Sequence, residues 1–203
     1  MAAHAVAALF ALAVARPAAA GLIIDQQNQI GNATSSNTAG VGQSFTPTAT
    51  ALDAVSVMLN VASNSTATLA IDLFEGAGFG GTLRGSSNTL TITSTVLSSY
   101  QFQFATPVNL TPGNLYTFRI TRVGASSTYG VRFFSGAAAG GSPAPYSGGV
   151  FYRSANNGTA DPGSDLVFAE GIATPEPSTL ISGGIAVIAG LGFGWRRRAR
   201  RAA

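Results

Sequence analysis

Ala54-Val55-Ser56-Val57-Met58-Leu59-Asn60-Val61, residues 54–61, carries an apolar side chain at every second position from Val55 to Val61. Successive side chains of an extended strand point to opposite faces, so this period of two gathers Val55, Val57, Leu59 and Val61 on one inward face. The pattern repeats downstream. Ala67, Leu69, Ile71 and Leu73 alternate with Thr66, Thr68, Ala70 and Asp72, and Tyr116, Phe118 and Ile120 with Thr117, Arg119 and Thr121. Tyr100, Phe102 and Phe104 alternate with Gln101 and Gln103, and Leu90 and Ile92 form a shorter pair. Such runs read as half-buried antiparallel strands. Shorter candidates are Leu22 to Asp25, Gln43 to Thr46, Gly130 to Phe134, Val150 to Arg153 and Leu166 to Glu170. Within the third of these, Phe133 and Phe134 are expected to split, one ring inward and one outward.

Turn chemistry separates the runs. Gly76-Ala77-Gly78-Phe79-Gly80-Gly81 supplies residues that tolerate positive φ, and Thr111-Pro112-Gly113-Asn114 reads as a type II turn with Pro at its second and Gly at its third position. Gly136 to Gly149, with Pro143 and Pro145, reads as a long irregular loop. No helical stripe interrupts residues 21–173. About nine or ten short strands over that length predict an all-β domain, an antiparallel two-sheet β-sandwich of jelly-roll-like type.

Composition narrows the function. The 203 residues hold 25 Gly and no Cys, and only 9% are charged against 46% apolar. Disulfide and Cys-ligated zinc scaffolds are therefore excluded. The formal charge is +3, but Arg196, Arg197, Arg198, Arg200 and Arg201 carry the basic character in a tail. Between Gly21 and Ala173, Arg84, Arg119, Arg122, Arg132 and Arg153 face Asp25, Asp53, Asp72, Glu75, Asp161, Asp165 and Glu170, a net of −2. No cluster of cations is present there to displace counterions from nucleic acid, so no nucleic-acid partner is expected.

Both ends of the chain read as addresses. Ala5 to Ala15 is an apolar run followed by Arg16, Pro17 and Ala18-Ala19-Ala20, the layout of a signal peptide over residues 1–20 with cleavage after Ala20. Its first residues carry His4 but no Lys or Arg. At the other end, Pro175-Glu176-Pro177 precedes the apolar segment Leu180 to Trp195 and then the arginines. The prolines favour an extended backbone without local hydrogen bonds, a form that a protease cleft accepts. Residues 180–195 would span roughly 24 Å as a helix, short for a bilayer but workable with Trp195 at the interface and snorkelling arginines. Arginines immediately after the segment place its C-terminus on the cytoplasmic side and the domain outside. A plain tail anchor behind a proline-containing linker is the simpler alternative.

The order of Pro-Glu-Pro, short apolar segment and terminal arginines over residues 174–203 closely resembles the PEP-CTERM sorting domain of Gram-negative bacteria. The resemblance implies recognition of Pro175, Glu176 and Pro177 by an exosortase, a membrane-embedded cysteine protease, with Arg196, Arg197 and Arg198 setting topology. It also implies a surface or extracellular destination in a bacterium that makes exopolysaccharide. Gly42 to Thr46, Leu73 to Gly76 and Pro107 to Tyr116 look like segments of small secreted jelly-roll domains, a likeness that implies binding roles more often than catalysis.

Inside the domain, chemistry is scarce. The only His is His4 and Lys is absent, so residues 21–173 offer no Ser-His-Asp or Cys-His triad, Schiff base or His-ligated metal. Carboxylate chemistry as in glycosidases would need two acids facing one bond. Asp72 and Glu75 lie three positions apart on a strand and so on opposite faces, while Asp161 and Asp165 flank Pro162-Gly163 and read as turn or solvent-facing acids. Asn156 to Asp165 offers carboxylates, amides and carbonyls of the kind Ca²⁺ takes, or else a loop of Asx turns. Tyr129, Tyr146, Phe151 and Tyr152, with Arg132 and Arg153, fall near the long loop and are the candidates for sugar stacking, against core packing as the plainer reading. The expected function is a non-catalytic exported surface protein, processed by an exosortase and associated with exopolysaccharide or biofilm. A carbohydrate-binding, lectin-like module, with Ca²⁺ as its one candidate cofactor, is the alternative, and a glycosidase a third.

Overall fold

The computed structural model describes residues 21–37, 39–124, 127–153 and 158–174. The expected signal peptide, the Pro175-Glu176-Pro177 motif, the apolar segment 180–195 and the arginines from Arg196 onward lie outside the described residues, as do Asn156 and Asn157.

Every regular element among the described residues is a strand. In chain order they are β1 (Leu22–Asn28), β2 (Ala33–Asn37), β3 (Val41–Phe45), β4 (Ala51–Val61), β5 (Ala67–Glu75), β6 (Leu83–Ser86) and β7 (Leu90–Ile92). They continue as β8 (Ser98–Asn109), β9 (Tyr116–Arg122), β10 (Tyr129–Ser135), β11 (Phe151–Arg153), β12 (Thr159–Asp161), β13 (Ser164–Leu166) and β14 (Phe168–Ala173). All pairings are antiparallel. One sheet centres on β4, with β8 along one side and β14 and then β1 along the other; β10 pairs with the far end of β4 and carries β2 and β13. The second runs β12-β11-β3-β9-β5, with β6 and β7 sharing the outer edge of β5. The chain crosses repeatedly between sheets, so neither face can bury itself without the other.

The inward faces follow the alternation in the sequence. Val55, Val57, Leu59 and Val61 from one sheet and Leu69, Ile71, Leu73, Phe118 and Ile120 from the other are all at most 2% exposed and belong to one continuous core. Phe118 meets Phe168 of the opposite sheet at 5.5 Å between ring centroids, and Phe133 stacks on Phe151 at 5.3 Å. The type II turn also forms: Gly113 has φ 82° and the Asn114 N–H donates to the Thr111 carbonyl at 3.1 Å.

Three expectations are corrected. Fourteen strands are present among the described residues rather than nine or ten, because short polar strands such as β2, Ala-Thr-Ser-Ser-Asn, pair through their backbones without an alternating pattern. The single strand expected over Leu166 to Glu170 is two, broken at Val167, whose N–H donates instead to the Arg132 carbonyl at 3.1 Å. Phe133 and Phe134 do face apart, Phe133 in the main core and Phe134 outside it, but the outward ring is buried as well.

The glycine-rich segment after β5 has its own packing role. It lays Phe79 against Phe74 and Tyr152 in a small cluster separate from the main core, with the Arg119 guanidinium 5.0 Å from the Phe74 ring centroid and 5.5 Å from that of Phe79. Gly42 is required beneath it, since a Cβ there would stand 1.9 Å from the Phe118 carbonyl oxygen and 2.8 Å from the Phe79 ring. Phe79→Ala is expected to lower unfolding stability by about 3 kcal/mol, measurable by urea titration. A loss below about 0.5 kcal/mol would mean that the cluster contributes nothing to the fold.

Candidate functional site

Two places carry unusual polar chemistry: the C-terminal end of β14, where the expected sorting segment begins, and a buried polar cluster near Tyr146.

β14 lies between two strands. Ala173 registers with Leu22 of β1, and its N–H donates to Asp53 Oδ2 at 3.2 Å. Asp53 stands at the break in the β4–β8 ladder, where the one β4 residue between Leu52 and Ala54 opposes four of β8 between Gln103 and Val108, and its Oδ1 is buried without a partner. A shallow depression of about 360 Å³ at this end is lined by Asp53, Gln103, Pro107 and Ala173, among others. Two residues later stands Pro175, which has no N–H with which to extend either ladder. The domain thus hands over to the Pro-Glu-Pro sequence directly from an interior strand.

The buried cluster starts from Gln43 on β3. Its Nε2 donates to Asp165 Oδ1 at 2.9 Å and its Oε1 accepts from the Leu166 N–H at 2.9 Å, joining β3 of one sheet to β13 of the other. Asp165 Oδ2 accepts from the Tyr146 N–H at 2.9 Å, and the Tyr146 hydroxyl donates to Gln26 Oε1 at 3.2 Å. Burial raises the Asp165 carboxyl above its ordinary value despite these two bonds. Glu170 pairs in register with Gln26 and is fully buried, and neither carboxylate oxygen has a hydrogen bond of ordinary geometry. Burial first, and then the Asp25 carboxylate beside it, push Glu170 up to about 8, with the Gln26 backbone offsetting only part. Asp25 itself stays below the usual range: burial works against this, but the Thr48 hydroxyl and the Thr48 and Ala49 N–H groups bond to its carboxylate.

The three candidate tyrosines do not form one surface. Tyr129 is fully buried, its hydroxyl directed to the Ile120 and Ala39 carbonyls at 3.3 and 3.4 Å, and burial raises its pKa. Tyr152 is buried in the Phe79 cluster, and Phe151 in the main core. Of the three, Tyr146 is the one that joins the polar side-chain cluster; burial, together with the Glu170, Asp165 and Asp25 carboxylates, pushes its hydroxyl up to about 12. Arg132 donates to the Gly31 carbonyl at 2.6 Å, and Arg153 pairs with Asp161 at 3.0 Å. Alternate aromatics near a loop divided between core and outer cluster because they sit on opposite strand faces.

The acids also separate. Asp72 accepts from Ser86, Arg119 and Thr121; burial would raise its pKa, yet these bonds hold it below the ordinary range. Glu75 faces Arg84 at 3.5 Å instead. Of the two acids around Pro162-Gly163, Asp161 meets Arg153, whereas Asp165 turns into the protein and is not the solvent-facing group the turn suggested. Among the described residues no group of three or more His, Cys, Asp or Glu is arranged to hold a metal ion.

Sequence reading passed over Glu170, Asp25 and Gln43. The available signal was parity: Glu170 shares one face of β14 with Phe168, and an acid in step with a large apolar residue marks an inward carboxylate.

No curated protein matches the chain. Residues 173–198 match the PEP-CTERM protein-sorting motif, so the last residue of β14 is also the first of the matched segment. The motif implies processing by an exosortase and a surface destination: this is a β-domain carrying a PEP-CTERM sorting signal at its C-terminal end.

Proposed function

We propose that the protein is a non-catalytic cell-surface protein, presented within an exopolysaccharide or biofilm matrix. On this reading residues 1–20 direct export and are cleaved after Ala20. Leu180 to Trp195 then tethers the precursor in the membrane, with the following arginines on the cytoplasmic side. The exosortase acts at Pro175-Glu176-Pro177, releasing or transferring a sandwich of jelly-roll-like connectivity. The observation that carries the reading is the sorting motif abutting the end of β14: the processing site follows the folded domain with two residues between strand and Glu176. A non-catalytic role is supported by the lack of His, Cys and Lys in residues 21–173.

Replacing Pro175, Glu176 and Pro177 together with alanine is expected to leave full-length precursor in the membrane fraction of exosortase-producing cells. Intact mass is the readout. The unaltered chain should begin near Gly21 and end near Pro175; a species that keeps Trp195 and the arginines in both would overturn the exosortase role and leave a plain tail anchor.

A further inference from the structure

We infer that the end of the β1–β14 pair is a lipid-facing surface, with Ile23 and Ile172 resting on the bilayer interface while the precursor is tethered. The inference rests on the membrane tether proposed above.

Ile23 and Ile172 are register partners, one residue in from Leu22 and Ala173, and therefore project from the same face of the sheet. They are 60% and 37% exposed, and the adjacent Ile24 is 45% exposed. The three isoleucines form a small apolar patch at one strand end that neither hydrophobic cluster uses. Tether length supplies the occupant. Thr174 to Thr179 separate Ala173 from Leu180, and at full extension these residues reach only about 20 Å. The Ile23–Ile172 end is thus held within that distance of the point where the apolar segment enters the membrane, and no other end of the domain is so constrained. Side chains of this kind settle at the boundary of headgroups and acyl chains, at a depth of about 5–10 Å. The side-chain charges at this end are Asp25 and Asp53, with no Lys or Arg in either strand, and cleavage after Ala20 adds the Gly21 amino group beside them. With both signs present the surface fitted is a zwitterionic interface.

The absence of cysteine permits single-site labelling of the full chain. Ile23→Cys and Ile172→Cys, each carrying an environment-sensitive fluorophore, would be reconstituted in phosphatidylcholine vesicles with and without headgroup spin-labelled lipid. Val96→Cys is the reference, because Val96 is 70% exposed and follows Ser94, which bonds Val61 at the opposite end of β4 from Asp53. Flotation with the vesicles reports the tether, and quenching reports the surface. At both isoleucine positions, spin-labelled lipid is expected to quench at least twofold more strongly than at Val96. Flotation with equal quenching at all three positions would overturn the lipid-facing surface and leave the tether standing. Probes that are shielded from water but insensitive to spin-labelled lipid, with shielding that grows with protein density, would overturn it in favour of a second copy of the chain. Failure to float would remove the tether and the inference together.

Discussion

Stability of the β-domain is expected to fall as pH rises from about 4.5 to about 8, and Glu170→Gln is expected to flatten that fall. Glu170 is fully buried with neither oxygen in a hydrogen bond of ordinary geometry, and the Asp25 carboxylate adds to the effect of burial. Its folded-state value, about 8, lies above the 4.5 of an unperturbed Glu, so the folded protein holds the proton more tightly than the unfolded chain does. The contribution is complete below 4.5, declines through the window and is gone once pH passes about 8, at roughly 1.4 kcal/mol per pH unit. Asp165 is raised as well and tilts the profile in the same direction, whereas Asp25 and Asp72 are held low and lose their contribution only on the acid side. Tyr146 faces the same carboxylates but ionises only near 12. Urea midpoints at pH 5, 7 and 8.5 measure the effect. Parallel profiles for the two proteins would show that Glu170 is not the group that titrates.

Gln43→Leu is expected to destabilise the fold by roughly 2–4 kcal/mol at pH 7, because it strands two partners at once. Asp165 would keep only the Tyr146 N–H, and the Leu166 N–H would have no acceptor from β3. Adding Asp165→Leu removes the stranded carboxylate but also the acceptor of the Tyr146 N–H, so it should recover only about a third of the loss, a widowed buried acid costing more than an unpaired N–H. Chemical denaturation of the two single variants and the double variant closes the cycle. Strict additivity of the two losses would show that the residues do not act through one another.

Period two was enough to locate β4, β5, β8 and β9, since each places a buried apolar row beside a polar one. The same reasoning could not find β2, β6 or β12, whose strand character comes from backbone pairing with a neighbour rather than from their side chains. The sorting signal was legible because its elements are contiguous and read by composition. The Gln43, Asp165 and Glu170 cluster was not, because its bonds join residues more than a hundred positions apart. Turn-flanking position made Asp165 read as exposed, and only the partner on β3 explains why it is inside.

The pairing of Leu22 with Ala173 also governs when the domain can mature as the chain emerges. The first strand waits for the last, and β14 must slip in beside β4 before that sheet is complete. Closing so long a loop is slow compared with forming local hairpins. Until Ala173 has emerged, β1 has no neighbour and β4 has only β10 along part of one side, and the very next residues to emerge are those of the sorting signal. Completion of the fold and presentation of the signal are therefore successive moments of one event, which favours commitment of finished domains over partly made ones.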